Sequence, residues 1–287
     1  MSNASDLIRR EFKRSDDIRD AGLTAPEDVV RFDDIAYGSD PKWQSLDVYR
    51  PRAAGDAPLP VIVSVHGGGW VYGDKERYQY YCMSLAQRGF AVVNFSYRLA
   101  PENKYPAPLE DTNAVFAWVL ENAGKYGFDR AHVFGVGDSA GGHLLGLYSA
   151  ICTNLDYAAE YDFRVPEGFA PTAVALNCGA YVITKADSLM EDFLPEKGTE
   201  RELELVSVPA HITPDFPPTF LMTSNGDFIK DQAPILAAKL MEQSVPFEFH
   251  FYGDEKHVLG HVFHCDMRSD AARICNDEEC GFFQKFL

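Results

Sequence analysis

The chain has 287 residues, 46% hydrophobic and 13% aromatic, which is enough for one sizeable buried core. Its formal net charge of −17 repels phosphate backbones and anionic lipid headgroups, which excludes nucleic-acid binding and polybasic membrane docking. The segment Met1-Ser-Asn-Ala-Ser-Asp6 leads into charges at Arg9, Arg10, Glu11 and Lys13 without an apolar signal region, and no apolar run reaches membrane-spanning length. The expectation is a cytoplasmic protein whose six cysteines are free thiols.

In chain order, residues 5–21 carry Leu7, Ile8, Phe12 and Ile18 among charges at helical spacing and read as an amphipathic helix. Two strands follow, Val30–Tyr37 and Gln44–Tyr49. After a Pro/Gly-rich loop, Val61-Ile-Val-Ser-Val65 is short and almost wholly apolar, as expected of a strand covered on both faces. Helices are expected near 76–88, 108–123, 140–151, 231–243 and 269–286. They alternate with strands at 91–96, 132–136, 173–177, 218–223 and 247–252. Strands alternating with helices specify an α/β fold with a mostly parallel sheet. No repeat or long linker divides the chain, so 1–287 reads as a single domain. In such a sheet, reactive groups collect at the carboxyl ends of the strands.

Directly after strand 132–136 comes Gly137-Asp138-Ser139-Ala140-Gly141, a G-x-S-x-G sequence between a strand and a helix. A serine on that sharp turn is exposed above the sheet, where the helix N-terminus favours developing negative charge. The flanking glycines are needed because a Cβ there would meet neighbouring backbone. Ser139 is therefore the candidate nucleophile. A second glycine cluster, His66-Gly67-Gly68-Gly69-Trp70, follows strand 61–65 and can turn its amides inward. The N–H groups of Gly68, Gly69 and Ala140 are the candidate oxyanion donors. No Gly-Lys-Ser/Thr or G-x-G-x-x-G pattern follows, which sets aside a phosphate-binding loop.

In this architecture the orienting acid and the base follow the serine in that order. Asp227 stands just past strand 218–223 and is the candidate acid, while Asp231 reads as the N-terminal charge of the next helix. Past strand 247–252 lie His257, His261 and His264. Any of them can serve as general base by residue type, and the other two then read as surface-loop histidines. His264, Cys265, Cys275 and Cys280 also lie close in sequence, but no C-x2-C or H-x3-5-H pair is present and no metal site is expected.

Together, His66-Gly-Gly-Gly-Trp70, Tyr97-Arg98-Leu99-Ala100-Pro101-Glu102 and Gly137-Asp-Ser-Ala-Gly-Gly142 resemble the hormone-sensitive-lipase-like esterases. The resemblance covers about residues 30–265. It implies an α/β-hydrolase fold, short-chain carboxylic ester hydrolysis by a serine carboxylesterase, and no cofactor or metal. It also implies a helical cap built from about residues 5–35, with a further insertion near 181–215. The family's base stands in a His-x-Phe setting, which His261-Val262-Phe263 supplies and His257 does not, so His261 is preferred and His257 is the second choice. Where the family acid is followed by proline, this chain has Phe228. Trp70 and Tyr72 are candidate substrate contacts, and the partner expected is a small-molecule ester. Nothing in the sequence opposes a homo-oligomer. The rival functions are an amidase or arylformamidase with the same triad, and a non-catalytic binding homologue.

Overall fold

In the computed structural model, which describes residues 3–184 and 187–287, eight strands form one sheet. The chain begins with α1 (Asn3–Asp20), then β1 (Val29–Ala36), β2 (Ser45–Pro51) and β3 (Leu59–Val65). Next come α2 (Lys75–Ala86), β4 (Ala91–Phe95), α3 (Ala107–Glu121), α4 (Ala123–Tyr126) and β5 (Phe128–Asp138). They are followed by α5 (Ala140–Thr153), α6 (Leu155–Ala158) and β6 (Val174–Asn177). Three short helices, α7 (Ser188–Phe193), α8 (Glu200–Leu205) and α9 (Val208–His211), precede β7 (Thr219–Ser224). The chain closes with α10 (Gln232–Glu242), β8 (Phe247–Tyr252) and α11 (Asp270–Gln284).

The strand order is β1-β2-β4-β3-β5-β6-β7-β8. Only the β1–β2 and β2–β4 pairs are antiparallel; β4 through β8 run parallel. This is the mostly parallel sheet the alternating pattern implies. The parallel run also brings the carboxyl ends of β3, β5, β7 and β8 to one edge, where the two glycine motifs, Asp227 and the histidine loop emerge.

The apolar run 61–65 shows why both faces are covered. Val61, Val63 and Val65 point into one core layer with α3 and α5, and Ile62 points into the other with α2 and α11. Alternate side chains of one strand thus pack in two separate layers, as the period of 2 requires.

The structure departs from the sequence reading in several places. Strand β5 starts at Phe128 rather than 132, because half-buried Asp129 and exposed Arg130 interrupt the apolar pattern that marks a buried strand. Helices α7, α8 and α9 each have six residues or fewer, too short for a periodic apolar signal. One of them still had a local marker. Thr199 and Glu202 form a capping box at the start of α8, the T-x-x-E pattern of a helix N-terminus. On α1, Leu7 and Ile18 are exposed, whereas Ile8 and Phe12 face the interior edge of the sheet loops. No helix among the described residues is long and apolar enough to cross a membrane.

Candidate active site

Strand β5 ends at Asp138, and Ser139 takes φ 52° and ψ −118°, a conformation that costs a non-glycine residue on the order of 1–3 kcal/mol. Its surroundings hold it there. Ser139 N donates to the Asn177 carbonyl (3.0 Å), and Ala180 N and His143 N donate to the Ser139 carbonyl (3.2 and 3.1 Å). A Cβ on Gly137 would lie 2.6 Å from the Gly141 carbonyl oxygen, and one on Gly141 would lie 1.9 Å from that of Val65. Both glycines of the motif are there because backbone crosses where a side chain would begin.

The glycine loop after β3 is built in the same way. Gly68 has φ 117°, and a Cβ on it would sit 2.0 Å from the Tyr72 carbonyl oxygen. Gly67 N donates to the Tyr78 hydroxyl (2.9 Å), which donates to buried Asp138 Oδ2 (2.7 Å). Asp138, the residue before Ser139, therefore fixes the loop opposite it. Burial pushes the Asp138 carboxyl up to about 6, partly offset by the Tyr78 hydrogen bond. The amides of Gly68, Gly69 and Ala140 donate to no other group among the described residues.

At the end of β7, Asp227 is buried and its Oδ1 lies 2.7 Å from His261 Nδ1. The same oxygen accepts Ile229 N (3.0 Å), and Oδ2 accepts the Thr223 hydroxyl (2.8 Å). Burial pushes this carboxyl up, but the His261 contact and the other donors outweigh it and leave it below its ordinary value. An ionised Asp227 keeps a proton on His261 Nδ1 and leaves Nε2, on the far side of the ring, without one. His261 Nε2 is buried and has no hydrogen-bond partner among the described residues. It shares a cavity of about 190 Å³ with Ser139.

The three histidines of the last loop are thus separated by their surroundings. The exposed His257 pairs with Asp254 (2.9 Å), not with Asp227. His264 does not lie on the surface, contrary to the sequence reading. It is fully buried edge-on against Tyr81, and burial lowers it to about 3. The loop reaches His261 because it is tied to the strand that carries the acid: Ser224 Oγ donates to the Leu259 and Gly260 carbonyls (2.8 and 3.1 Å), and Leu259 N donates to Asn225 Oδ1 (2.9 Å). Asp231 is the residue before α10, as expected. All six cysteines are free thiols. Of the sequence cluster, His264 and Cys265 lie together against Asp138, and Cys275 and Cys280 are buried on α11.

Trp70 and Tyr72 both line the site, on different sides. Trp70 Nε1 donates to His143 Nδ1 (3.1 Å), and His143 Nε2 donates to the Val206 carbonyl (2.7 Å), which requires the neutral ring that burial enforces by lowering His143 to about 4. Trp70 is stacked on Phe193 and borders a second, larger cavity of about 460 Å³. Ile8 of α1, Val182, Ile183, Leu189 and Met190 form its apolar wall. Tyr72 borders the cavity that holds His261. Sequence reading missed Phe12 and Phe228, which line both cavities; Phe228 is 72% exposed and its ring lies 4.4 Å from that of His261. The absence of proline after Asp227 was the available signal.

The Tyr97–Glu102 block is a clamp rather than a contact surface. Arg98 pairs with Asp111 and Glu110, and Ala100 N donates to the Trp70 carbonyl (3.0 Å). Arg9 of α1 donates to the carbonyls of Val71 and Ala100 and pairs with Glu102 (2.6 Å). That set of bonds holds α1 across the glycine loop.

A family model described as BD-FAE matches residues 46–240, more than half of the chain. The chain belongs to the BD-FAE family and to the hormone-sensitive-lipase-like esterases. Among similar proteins, versiconal hemiacetal acetate esterase of Dothistroma septosporum is 30% identical over 221 residues, 70% of this chain and 67% of its own length. Esterase LipC of Mycobacterium tuberculosis is 36% identical over 148 residues, which is 51% of this chain but only 35% of LipC. The crystal structure of esterase B from Lactobacillus rhamnosis superposes with a TM-score of 0.90 at 27% identity, covering 99% of this chain and 94% of that one. The α/β-hydrolase fold of this family accounts for the strand order and for the edge at which the site is assembled.

Behind Ser139 lies a feature outside the motifs. Asn177, whose carbonyl receives Ser139 N, donates Nδ2 to Glu279 Oε2 (2.5 Å), and Tyr81 donates to Glu279 Oε1 (2.8 Å). Glu279 is fully buried on α11, and burial pushes its carboxyl up to about 7. The carboxyl therefore carries no penalty below about 4.5, where it is protonated folded or unfolded. Between about 4.5 and 7 the folded state must hold a proton that the unfolded chain releases, so stability falls with rising pH. Glu279→Gln is expected to gain stability over wild type progressively across that window, by a few kcal/mol at pH 8. Urea titrations at pH 4.5, 6 and 8 check this; a pH-independent offset would count against it.

Proposed function

We propose that the protein is a serine carboxylesterase that cleaves short-acyl esters through an acyl-enzyme intermediate. The observation that carries this reading is the Asp227–His261 pair at 2.7 Å, with His261 Nε2 unpartnered in the cavity that Ser139 also lines. Asp227 holds His261 with Nε2 free to accept the Ser139 proton. The serine oxygen then attacks the ester carbonyl. The amides of Gly68, Gly69 and Ala140, which have no other acceptor among the described residues, receive the oxyanion, each worth on the order of 3 kcal/mol to the transition state. The imidazolium returns its proton to the departing alcohol, and water repeats the sequence on the acyl-enzyme.

Short acyl groups are supported by the apolar lining of the larger cavity, to which Leu189 and Met190 as well as Ala140 and Ala180 contribute. Helix α1 and the segment around α7 act as the cap of a single domain in this reading. The substrate partner is a small ester. The charge of −17 argues against nucleic acid, and the free thiols favour a reducing, cytoplasmic setting.

Two measurements test the proposal. Diethyl p-nitrophenyl phosphate should label one residue, and peptide mass spectrometry should place the adduct on Ser139. Hydrolysis of p-nitrophenyl acetate, butyrate and octanoate should fall with chain length. An adduct elsewhere, or faster turnover of an N-formyl aryl amide than of the aryl acetate, would replace the esterase reading.

A further inference from the structure

The two cavities that meet at Ser139 differ in chemistry, and α1 lies across both. Its site-facing stripe runs Ile8, Phe12, Ser15, Asp16 and Arg19, at the spacing of one helical face. Ile8 borders the larger apolar cavity and Phe12 borders both. Ser15, Asp16 and Arg19 border the smaller cavity, together with Tyr72. The helix therefore changes from apolar to polar along the length of the site.

The polar end is held rigidly. Asp16 Oδ1 pairs with Arg19 Nη1 (3.0 Å), and Oδ2 accepts the Tyr72 hydroxyl (2.9 Å). Arg19 is fixed in turn by Asp20 (2.8 Å) and by the Arg77 carbonyl (2.7 Å). Each Asp16 oxygen still has acceptor capacity after these bonds, since a carboxylate oxygen takes about two hydrogen bonds.

Reaction chemistry assigns the cavities. The departing oxygen takes its proton from His261 Nε2, so the alcohol portion lies on the His261 side of Ser139. That side is the smaller cavity, which His261 and Val262 line. The larger, apolar cavity is not lined by His261, so the acyl chain lies there, with Gly68 on the smaller side of the boundary and Gly69 and Ala140 on the larger.

We infer that the alcohol subsite, built by Asp16, Arg19 and Tyr72, selects esters whose alcohol carries free hydroxyl groups. The inference rests on the esterase reading and deepens it. A hydroxyl both donates and accepts, which suits a carboxylate beside a guanidinium. A quaternary ammonium has no hydrogen to give Asp16, and an alkyl chain would leave the Asp16–Arg19 pair desolvated without new partners.

The test compares kcat/KM for 1-glyceryl monobutyrate, n-propyl butyrate and butyrylcholine, which share one acyl group. In the wild type the glyceryl ester is expected to exceed the propyl ester by tenfold or more, and to exceed the choline ester. Asp16→Leu is expected to bring the glyceryl-to-propyl ratio close to one, with Asp16→Asn between the two. Because only the ratio is read, a general loss of activity does not mimic the result; if Asp16→Leu does not fold, the ratio in Asp16→Asn decides. A wild-type ratio of one or less, a ratio unchanged in the variants, or preference for the choline ester overturns the inference. If p-nitrophenyl butyrate is hydrolysed in those cases, the esterase reading survives. If no ester is hydrolysed at all, both fall.

Discussion

Ser139→Ala and His261→Ala are each expected to lower kcat on p-nitrophenyl butyrate by about a millionfold, as happens when one member of a cooperating nucleophile–base pair is lost. His257→Ala is expected to stay within about threefold of wild type, since an exposed surface change is nearly neutral. The difference follows from partners. His261 Nδ1 lies 2.7 Å from a buried Asp227, and its Nε2 is unpaired in the Ser139 cavity. His257 sits on the surface with Asp254. Because the two residues act on one proton, the Ser139→Ala/His261→Ala double variant should be no slower than either single one. Additive losses, or a large loss in His257→Ala, would place the base elsewhere.

The second large effect concerns the turn itself. Gly141→Ala would put a Cβ 1.9 Å from the Val65 carbonyl oxygen and 2.5 Å from that of His66, both backbone atoms between β3 and the glycine loop. Neither can move without shifting the loop that carries Gly68 and Gly69. The variant is expected to lose more than about 4 kcal/mol of stability, the range reached only by severe core disruption. Gly281→Ala is the matched comparison. It lies inside α11 with nothing within 4 Å of the added carbon, and should gain about 0.5–1 kcal/mol by restricting the unfolded chain. Paired urea denaturation curves separate the two; equal effects would refute the steric account of the motif glycines.

These contrasts show where sequence was informative. The strand at 247–252 was read to the residue, and α5 was read from its first residue, because apolar runs and the glycine turn are local signals. Helices α7, α8 and α9 left little trace beyond the Thr199–Glu202 box, since a helix of one turn or so has no repeating face. The segment 181–215 was suspected as part of the site's cover, and Val182, Ile183, Leu189 and Met190 do line the larger cavity. Their chemistry is only that of ordinary core residues, so nothing in them singled out a substrate wall.

The residue types proposed for acyl transfer, the fold class and the family were legible in the sequence alone. Each rests on neighbours within a few positions: a serine between glycines after a strand, three glycines after another, an acid at the end of a third. That His261, and neither His257 nor His264, meets Asp227 depends on a contact across 34 residues, and the burial of His264 against Tyr81 on one across a far longer separation. The same holds for Glu279, which reaches Asn177, the support of Ser139, from 102 residues beyond it, and for Asp16, which meets Tyr72 across 56. Periodicity and motifs record what a residue's near neighbours demand. The partners that set a side chain's proton, its burial and the shape of the cavity before it are brought together only when the sheet closes.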